Sequence, residues 1–288
     1  MRELYEYFNL KIKEKVKRCP EYNKITEIRM RVNSPLIINK VNSEEVFRDV
    51  IISEDDISDT FNIATDYSAY AFEDNIKDGF LSVPGGHRIG FGGVIVKENN
   101  RIKAIKNIKF LNIRVCRQIE NYGEMLYEKI KSNEKIENIL IISPPGLGKT
   151  TLLRDYIKKI SNETPGTSIC VIDERNEISG MYMGVPTIDL GIRTDILSNC
   201  TKKDGILMAI RSMAPKIIAL DEIGKKEDIE AIESAGVSGV KVIATAHGRD
   251  VEDVTKKFGQ DMVNMFERKV IIKRIGEYIC CWKYLDVY

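Results

Sequence analysis

Residues 143–150 read Ser-Pro-Pro-Gly-Leu-Gly-Lys-Thr, a glycine-rich turn between an apolar run and an amphipathic run. The run before it, Asn138-Ile-Leu-Ile-Ile142, is short, β-branched and apolar, which predicts a buried strand. In the run after it, Leu152, Leu153, Tyr156, Ile157 and Ile160 share one helical face. Strand, glycine turn, Lys-Thr and helix in that order restrict this part of the chain to a phosphate-loop α/β fold. Gly146 and Gly148 let consecutive N–H groups turn inward toward an anion, and the helix beginning near Lys149 adds its positive end. Pro144, Pro145, Gly146, Leu147, Gly148, Lys149, Thr150 and Thr151 are therefore the expected triphosphate-binding set. Within it, Lys149 reaches the β- and γ-phosphates and the Thr150 hydroxyl holds Mg²⁺. The usual pattern starts with Gly where this chain has Ser143, so the loop is a variant.

Two acidic clusters and a histidine follow apolar strand patterns. Lys216-Ile-Ile-Ala-Leu220 runs into Asp221-Glu222, where Asp221 is expected to position hydrated Mg²⁺ and Glu222 to orient and deprotonate the attacking water. Val171-Ile172 runs into Asp173-Glu174, predicted on the same sheet rim as the γ-phosphate, with Arg175 able to pair with either. His247 closes Val240-Lys-Val-Ile-Ala-Thr-Ala246 and can sense the γ-phosphate. Each has a plainer reading as a loop cap, a solvated ion pair or a structural histidine. Their shared position at strand ends, after a phosphate loop, is what favours chemistry. Arg88, Arg114, Arg117, Arg193 and Arg211 are open candidates for charge stabilisation in trans, and His87 could reach a nucleotide only through a neighbouring subunit. Asp221-Glu-Ile-Gly224 and Thr201-Lys-Lys-Asp204 match GTPase elements, but in the wrong chain order, so guanine specificity is unsupported.

At 288 residues the chain has room for two domains. Helical spacing over residues 1–18, strands at Ile25–Val32 and Leu36–Ile38, a helix capped by Ser53, and a further helix near Tyr67–Lys77 describe a small α+β domain. It continues through the glycine-dense strand region Phe80–Val96 and a strand at Lys109–Val115. The expected domains are 1–118 and 119–288. In the second, strands at Asn138–Ile142, Ser168–Ile172, Lys216–Leu220 and Val240–Thr245 alternate with helices, as a parallel sheet requires, and a hairpin around Gly276 closes the chain. A net charge of +1 supplies no global field for nucleic acid, and no apolar stretch is long enough to span a membrane. Cys19, Cys116, Cys170, Cys200, Cys280 and Cys281 lack C-x-x-C spacing. With no signal-peptide pattern, they predict reduced thiols in a cytosolic protein; the adjacent pair 280–281 is expected on opposite strand faces.

Several motifs occur together in one order: Pro84-Gly-Gly-His-Arg-Ile-Gly, Leu111-Asn-Ile-Arg-Val, the 143–155 segment, Val171-Ile-Asp-Glu-Arg-Asn-Glu-Ile, Gly184-Val-Pro, Gly191-Ile-Arg-Thr-Asp, Ile210-Arg-Ser-Met-Ala-Pro, Asp221-Glu-Ile-Gly and Ala244-Thr-Ala-His-Gly. From about residue 80 onward the chain resembles the stage III sporulation protein AA family of endospore-forming bacteria, which is similar to the ATPases of type II and type IV secretion and pilus systems. The resemblance implies a RecA-like ATPase domain behind a small α+β domain. It further implies a hexamer on the cytoplasmic face of a mother cell–forespore channel, reaching the membrane only through embedded channel proteins. It matches the segment around Asp173 to the acidic box, Asp221-Glu222 to Walker B and His247 to the histidine box, and it suggests Arg114 as the trans contact. The secretion ATPases usually carry Gly-Glu where this chain has Asp221-Glu222, which touches Mg²⁺ geometry more than the role of Glu222. Rival expectations are a nucleic-acid-stimulated ATPase on the same sheet, against which the near-neutral charge argues, and a nucleotide-gated scaffold with little turnover.

Overall fold

The computed structural model describes residues 3–68, 79–116, 121–131, 136–275 and 278–285. Two compact units emerge, one comprising Met1–Arg117 with Gly180–Thr187, the other Gln118–Ser179 with Ile188–Tyr288.

The first unit is built on a six-stranded antiparallel sheet with the order β3-β2-β1-β6-β5-β4. Its strands are β1 (Ile25–Arg31), β2 (Pro35–Lys40), β3 (Glu44–Ile51), β4 (Phe80–Val83), β5 (His87–Glu98) and β6 (Arg101–Arg114). Alternation in β1 sends Ile28 and Met30 inward, where they meet Leu36, Ile38, Ile89 and Ile113 from neighbouring strands. A 3₁₀ turn (Leu4–Tyr7), α1 (Leu10–Lys17) and α2 (Glu54–Ala64) add Leu4, Tyr7, Ile12 and Ile57 to that core. The single helix expected over residues 1–18 is broken because Asn9 caps α1, its side chain accepting the Ile12 N–H at 3.3 Å. Ser53 caps α2 as expected. The helix expected near Tyr67–Lys77 falls largely outside the described residues.

The second unit carries a seven-stranded sheet, β13-β12-β7-β11-β10-β8-β9. These are β7 (Ile139–Ser143), β8 (Ile169–Asp173), β9 (Thr194–Ser198), β10 (Ile217–Glu222), β11 (Lys241–His247), β12 (Arg268–Ile275) and β13 (Tyr278–Leu285). All neighbours pair in parallel except β12 with β13, the closing hairpin. β7 and β8 are buried from end to end, which is why they read as unbroken apolar runs. Helices are α3 (Glu124–Lys131), α4 (Lys149–Glu163), α5 (Lys202–Ser212), α6 (Lys226–Val237), α7 (Val251–Phe258) and α8 (Gln260–Asn264). Ile206 and Ala209 of α5, Ala231, Ile232 and Ala235 of α6, and Val254 of α7 pack against Ile142, Ile172, Leu220 and Ala244 from the sheet. The side chains of Cys280 and Cys281 lie outside the described ones. Cys19, Cys116, Cys170 and Cys200 form no disulfide, and burial above all pushes Cys170 up to about 12, so it packs as an apolar residue.

Gly205 shows how tightly α5 meets β8: an added Cβ would lie 2.5 Å from Ile172 Cγ2 and 3.0 Å from Cys200 Sγ. Gly205→Ala should therefore destabilise the chain by about 1–2 kcal/mol despite alanine's better helix propensity. Denaturant titration checks this, and an unchanged or higher midpoint would contradict it.

Candidate nucleotide site

The site is assembled where parallel strands end. β7 delivers Ser143, fully buried and in extended strand conformation, to the start of the loop. Glycine is not required there because the chain turns later, at Gly146 (φ +77°) and at Gly148 (φ +90°), which forms the N-cap of α4. A Cβ on Gly146 would meet nothing within 4 Å, so conformational freedom is its role; on Gly148 it would lie 3.2 Å from the Tyr122 hydroxyl.

Lys149 is nearly buried. Its ammonium donates to Ser143 O at 3.2 Å and Pro144 O at 3.5 Å, and lies 2.7 Å from His247 Nδ1. His247 is held beside the loop by ladder pairing of β11 with β7, in which it stands opposite Ser143. Its Nε2 lies 2.7 Å from Glu222 Oε2. An ammonium has no acceptor, so Nδ1 accepts and Nε2–H donates to the carboxylate, which fixes the ring's tautomer through its partners. Burial lowers the Lys149 pKa, against opposing pulls from Glu222 and Asp221.

Consecutive residues on a strand normally face opposite sides. The pairing of β10 with β11 skips from Leu220–Ala244 to Glu222–Thr245, so Asp221 occupies a bulge that re-aims the two acids. Asp221 is almost wholly buried, and its pKa is pushed up to about 7, by burial first and then by the charges of Glu177 and Asp173. Asp228, at the start of α6, accepts the N–H groups of Gly224 and Lys225, each at 3.0 Å, and so fixes the segment that follows the acids.

Asp173 closes β8. Its carboxylate is fully buried and accepts the N–H groups of Glu177, Ile178 and Ser179 at 2.7–3.1 Å and the Ser179 hydroxyl at 2.6 Å. Both oxygens are thus engaged in holding the turn that follows, an engagement its expected place beside the γ-phosphate does not include. Glu174 accepts from Lys202 at 2.6 Å. Burial alone would raise its pKa, but the Lys202 hydrogen bond and charge, with Lys225 and Arg175, bring it below the usual range. Glu174, Glu177, Lys202, Asp221, Glu222 and Lys225 line one cleft.

The structure also shows residues that the sequence reading passes over. Arg154 on α4, nearly buried, donates from Nε to Ile178 O at 2.9 Å and from Nη2 to Glu177 O, cementing the Asp173 turn to the phosphate-loop helix. Its signal was a charge among the apolar positions of α4. Lys202 belongs to the Thr201-Lys-Lys-Asp204 stretch, which is a helix cap: Thr201 Oγ1 accepts the Asp204 N–H at 3.2 Å. Arg114 lies exposed on β6 of the first unit, between Glu27 and Arg88 in the ladder. Arg193 donates to Ser161 O at 2.5 Å, and Arg88 stacks on Phe80. Arg117 lies outside the described residues. His87 is buried, with Nδ1 accepting the Cys116 N–H at 3.0 Å.

The residues suit a magnesium–triphosphate. The loop offers an open glycine cradle at a helix N-terminus. Among the described residues no group of three or more acids, histidines or cysteines could hold a metal. Thr150 and Asp221 carry the oxygens that would hold the magnesium ion.

A RecA-like sheet with these groups on its rim, beside an α+β unit, defines a phosphate-loop α/β fold. The same fold occurs in the Legionella pneumophila ATPase DotB (TM-score 0.63, 15% identity, 92% of this chain and 77% of that one). It also occurs in the pilus retraction motor PilT with bound ADP (TM-score 0.62, 14% identity, 95% and 78%). The chain belongs to the family described as sporulation stage III, protein AA, whose model matches residues 2–279. Stage III sporulation protein AA of Bacillus subtilis (strain 168) is 35% identical over 263 residues, covering 89% of this chain and 85% of that protein. Among the described residues no helix is long and apolar enough to cross a membrane.

Because the folded pKa of Asp221 lies above its unfolded value, its contribution favours the fold at low pH and is lost as pH rises through about 7. Asp221→Asn should therefore stabilise the nucleotide-free protein at pH 8, by about 2–4 kcal/mol, with the advantage vanishing below about pH 4. Unfolding midpoints measured across that range test the sign.

Proposed function

We propose that this chain is a Mg²⁺-dependent ATPase that works as a homo-oligomer, a hexamer by the family resemblance. It would act on the cytoplasmic side of the channel between mother cell and forespore during endospore formation, bound to the membrane only through embedded channel proteins. The observation that carries the reading is the Lys149–His247–Glu222 chain of hydrogen bonds beside the glycine loop.

Lys149 now satisfies its donors with two loop carbonyls and an imidazole. The β- and γ-phosphates are stronger acceptors and would draw the ammonium to themselves. That loosens His247, whose Nδ1 loses its donor, and leaves the Glu222 carboxylate to receive a proton from water in line with the γ-phosphate. Mg²⁺, when bound, supplies charge neutralisation at the phosphate oxygens. Thr150 and Asp221 would hold it, and a charged Asp221 is the form that can do so. Arg114, exposed on the first unit, is available to a neighbouring copy's triphosphate. Similarity to a fold used by a pilus retraction motor and by an ATPase supports energy transduction over mere nucleotide sensing.

Lys149→Ala should weaken ATP binding about 10–100-fold, the loss of a charge-assisted contact set of 1.5–3 kcal/mol. Glu222→Gln should bind ATP like the parent yet turn it over about 10²–10⁴-fold more slowly. Equilibrium binding with a fluorescent ATP analogue and phosphate release separate the two effects. Undiminished turnover in both variants would end the ATPase reading.

A further inference from the structure

Two motifs unused by the nucleotide chemistry, Pro84-Gly-Gly-His87 and Gly184-Val-Pro186, belong to the first unit, where Gly180 and Thr187, which flank the second, touch the first. Residues Gly180–Thr187 leave the second unit's chain and group with the first as a tight strap, closed by reciprocal backbone hydrogen bonds between Tyr182 and Val185 at 2.9 Å. Thr187 fastens it twice. Its hydroxyl donates to Gly180 O at 2.6 Å and its Oγ1 accepts the Gly85 N–H at 3.0 Å. Gly180 approaches the loop so closely that an added Cβ would lie 2.9 Å from Gly86 Cα, and its φ of +57° also favours glycine. The same loop also holds Cys116, whose N–H donates to His87 Nδ1 at 3.0 Å.

The strap's roots lie in the acid turn. Ser179, the residue before it, donates its N–H and hydroxyl to Asp173 at 2.7 and 2.6 Å. Ile188, the residue after it, donates to Ser179 O at 3.0 Å. Both roots therefore depend on the carboxylate that ends β8, and β8 is the sheet neighbour of β10, which carries Asp221 and Glu222. A short segment bonded at both ends and in backbone contact leaves little slack to absorb a shift.

We propose that Gly180–Thr187 is a transmission strap that conveys the nucleotide state of the acid turn to the Pro84–His87 loop, with Thr187 as the positioning residue that keeps it taut. This deepens the ATPase reading and rests on it. Thr187→Val preserves shape and removes both hydroxyl hydrogen bonds; Thr187→Ser restores them.

Amide hydrogen exchange on the full-length chain, with and without a non-hydrolysable ATP analogue and Mg²⁺, tests the strap alongside a direct binding measurement. In the parent, amide exchange at Gly85–His87 should change at least about threefold on binding. In Thr187→Val, affinity should hold while that change collapses, and Thr187→Ser should recover it. Ser179→Ala, which weakens the other root, should uncouple likewise and carries the test if Thr187→Val fails to fold. A parent-like response in the uncoupling variants, or binding without any response in the parent, overturns the strap alone. Absence of nucleotide binding by the parent overturns the ATPase reading and the strap with it.

Discussion

The pairing of Ser143 with His247 at the ends of two parallel strands is the constraint on which the rest of the site depends. It sets an imidazole beside the loop at a distance that a buried ammonium can use, and a desolvated Lys149 is tolerable only because each of its donors finds an acceptor. A shift of one residue in that ladder would bring Ala246 to the loop and leave one Lys149 donor without an acceptor. The register in turn rests on the apolar faces of β7 and β11, so the electrostatics of the rim are underwritten by core packing.

The two acids at the end of β10 illustrate divided labour within one dipeptide. The bulge at Asp221 puts it in a dry, negatively charged setting, while Glu222 stays half-exposed against His247. Burial and the charges of Glu177 and Asp173 together disfavour the ionised form of Asp221, which any cation placed beside it would favour.

Much of this was legible in the chain. The strands that end at Ser143, Asp173, Glu222 and His247 were marked by β-branched runs, and their polar ends gave the rim, because short-period apolar patterning and strand-end chemistry are local signals. What stayed hidden depended on distant partners. β9 and β3 were missed because Thr194–Ser198 is only partly buried and Glu44–Ile51 alternates charge with modest apolarity at a sheet edge. The engagement of Asp173 could not be read from Asp-Glu alone, since it needs three backbone donors and a hydroxyl from the following turn. Arg154 drew no reading from the sequence, because its acceptors are main-chain carbonyls of a turn 23–24 residues away.

That residues 180–187 belong with the first unit has a practical corollary for anyone wishing to dissect the molecule. Cutting the gene at the linker would not yield two self-sufficient halves. An amino-terminal piece ending at Arg117 would lack the hydroxyl that receives the Gly85 N–H and the backbone that covers Gly86, while the remainder would carry an orphaned octapeptide loop with nothing to rest on.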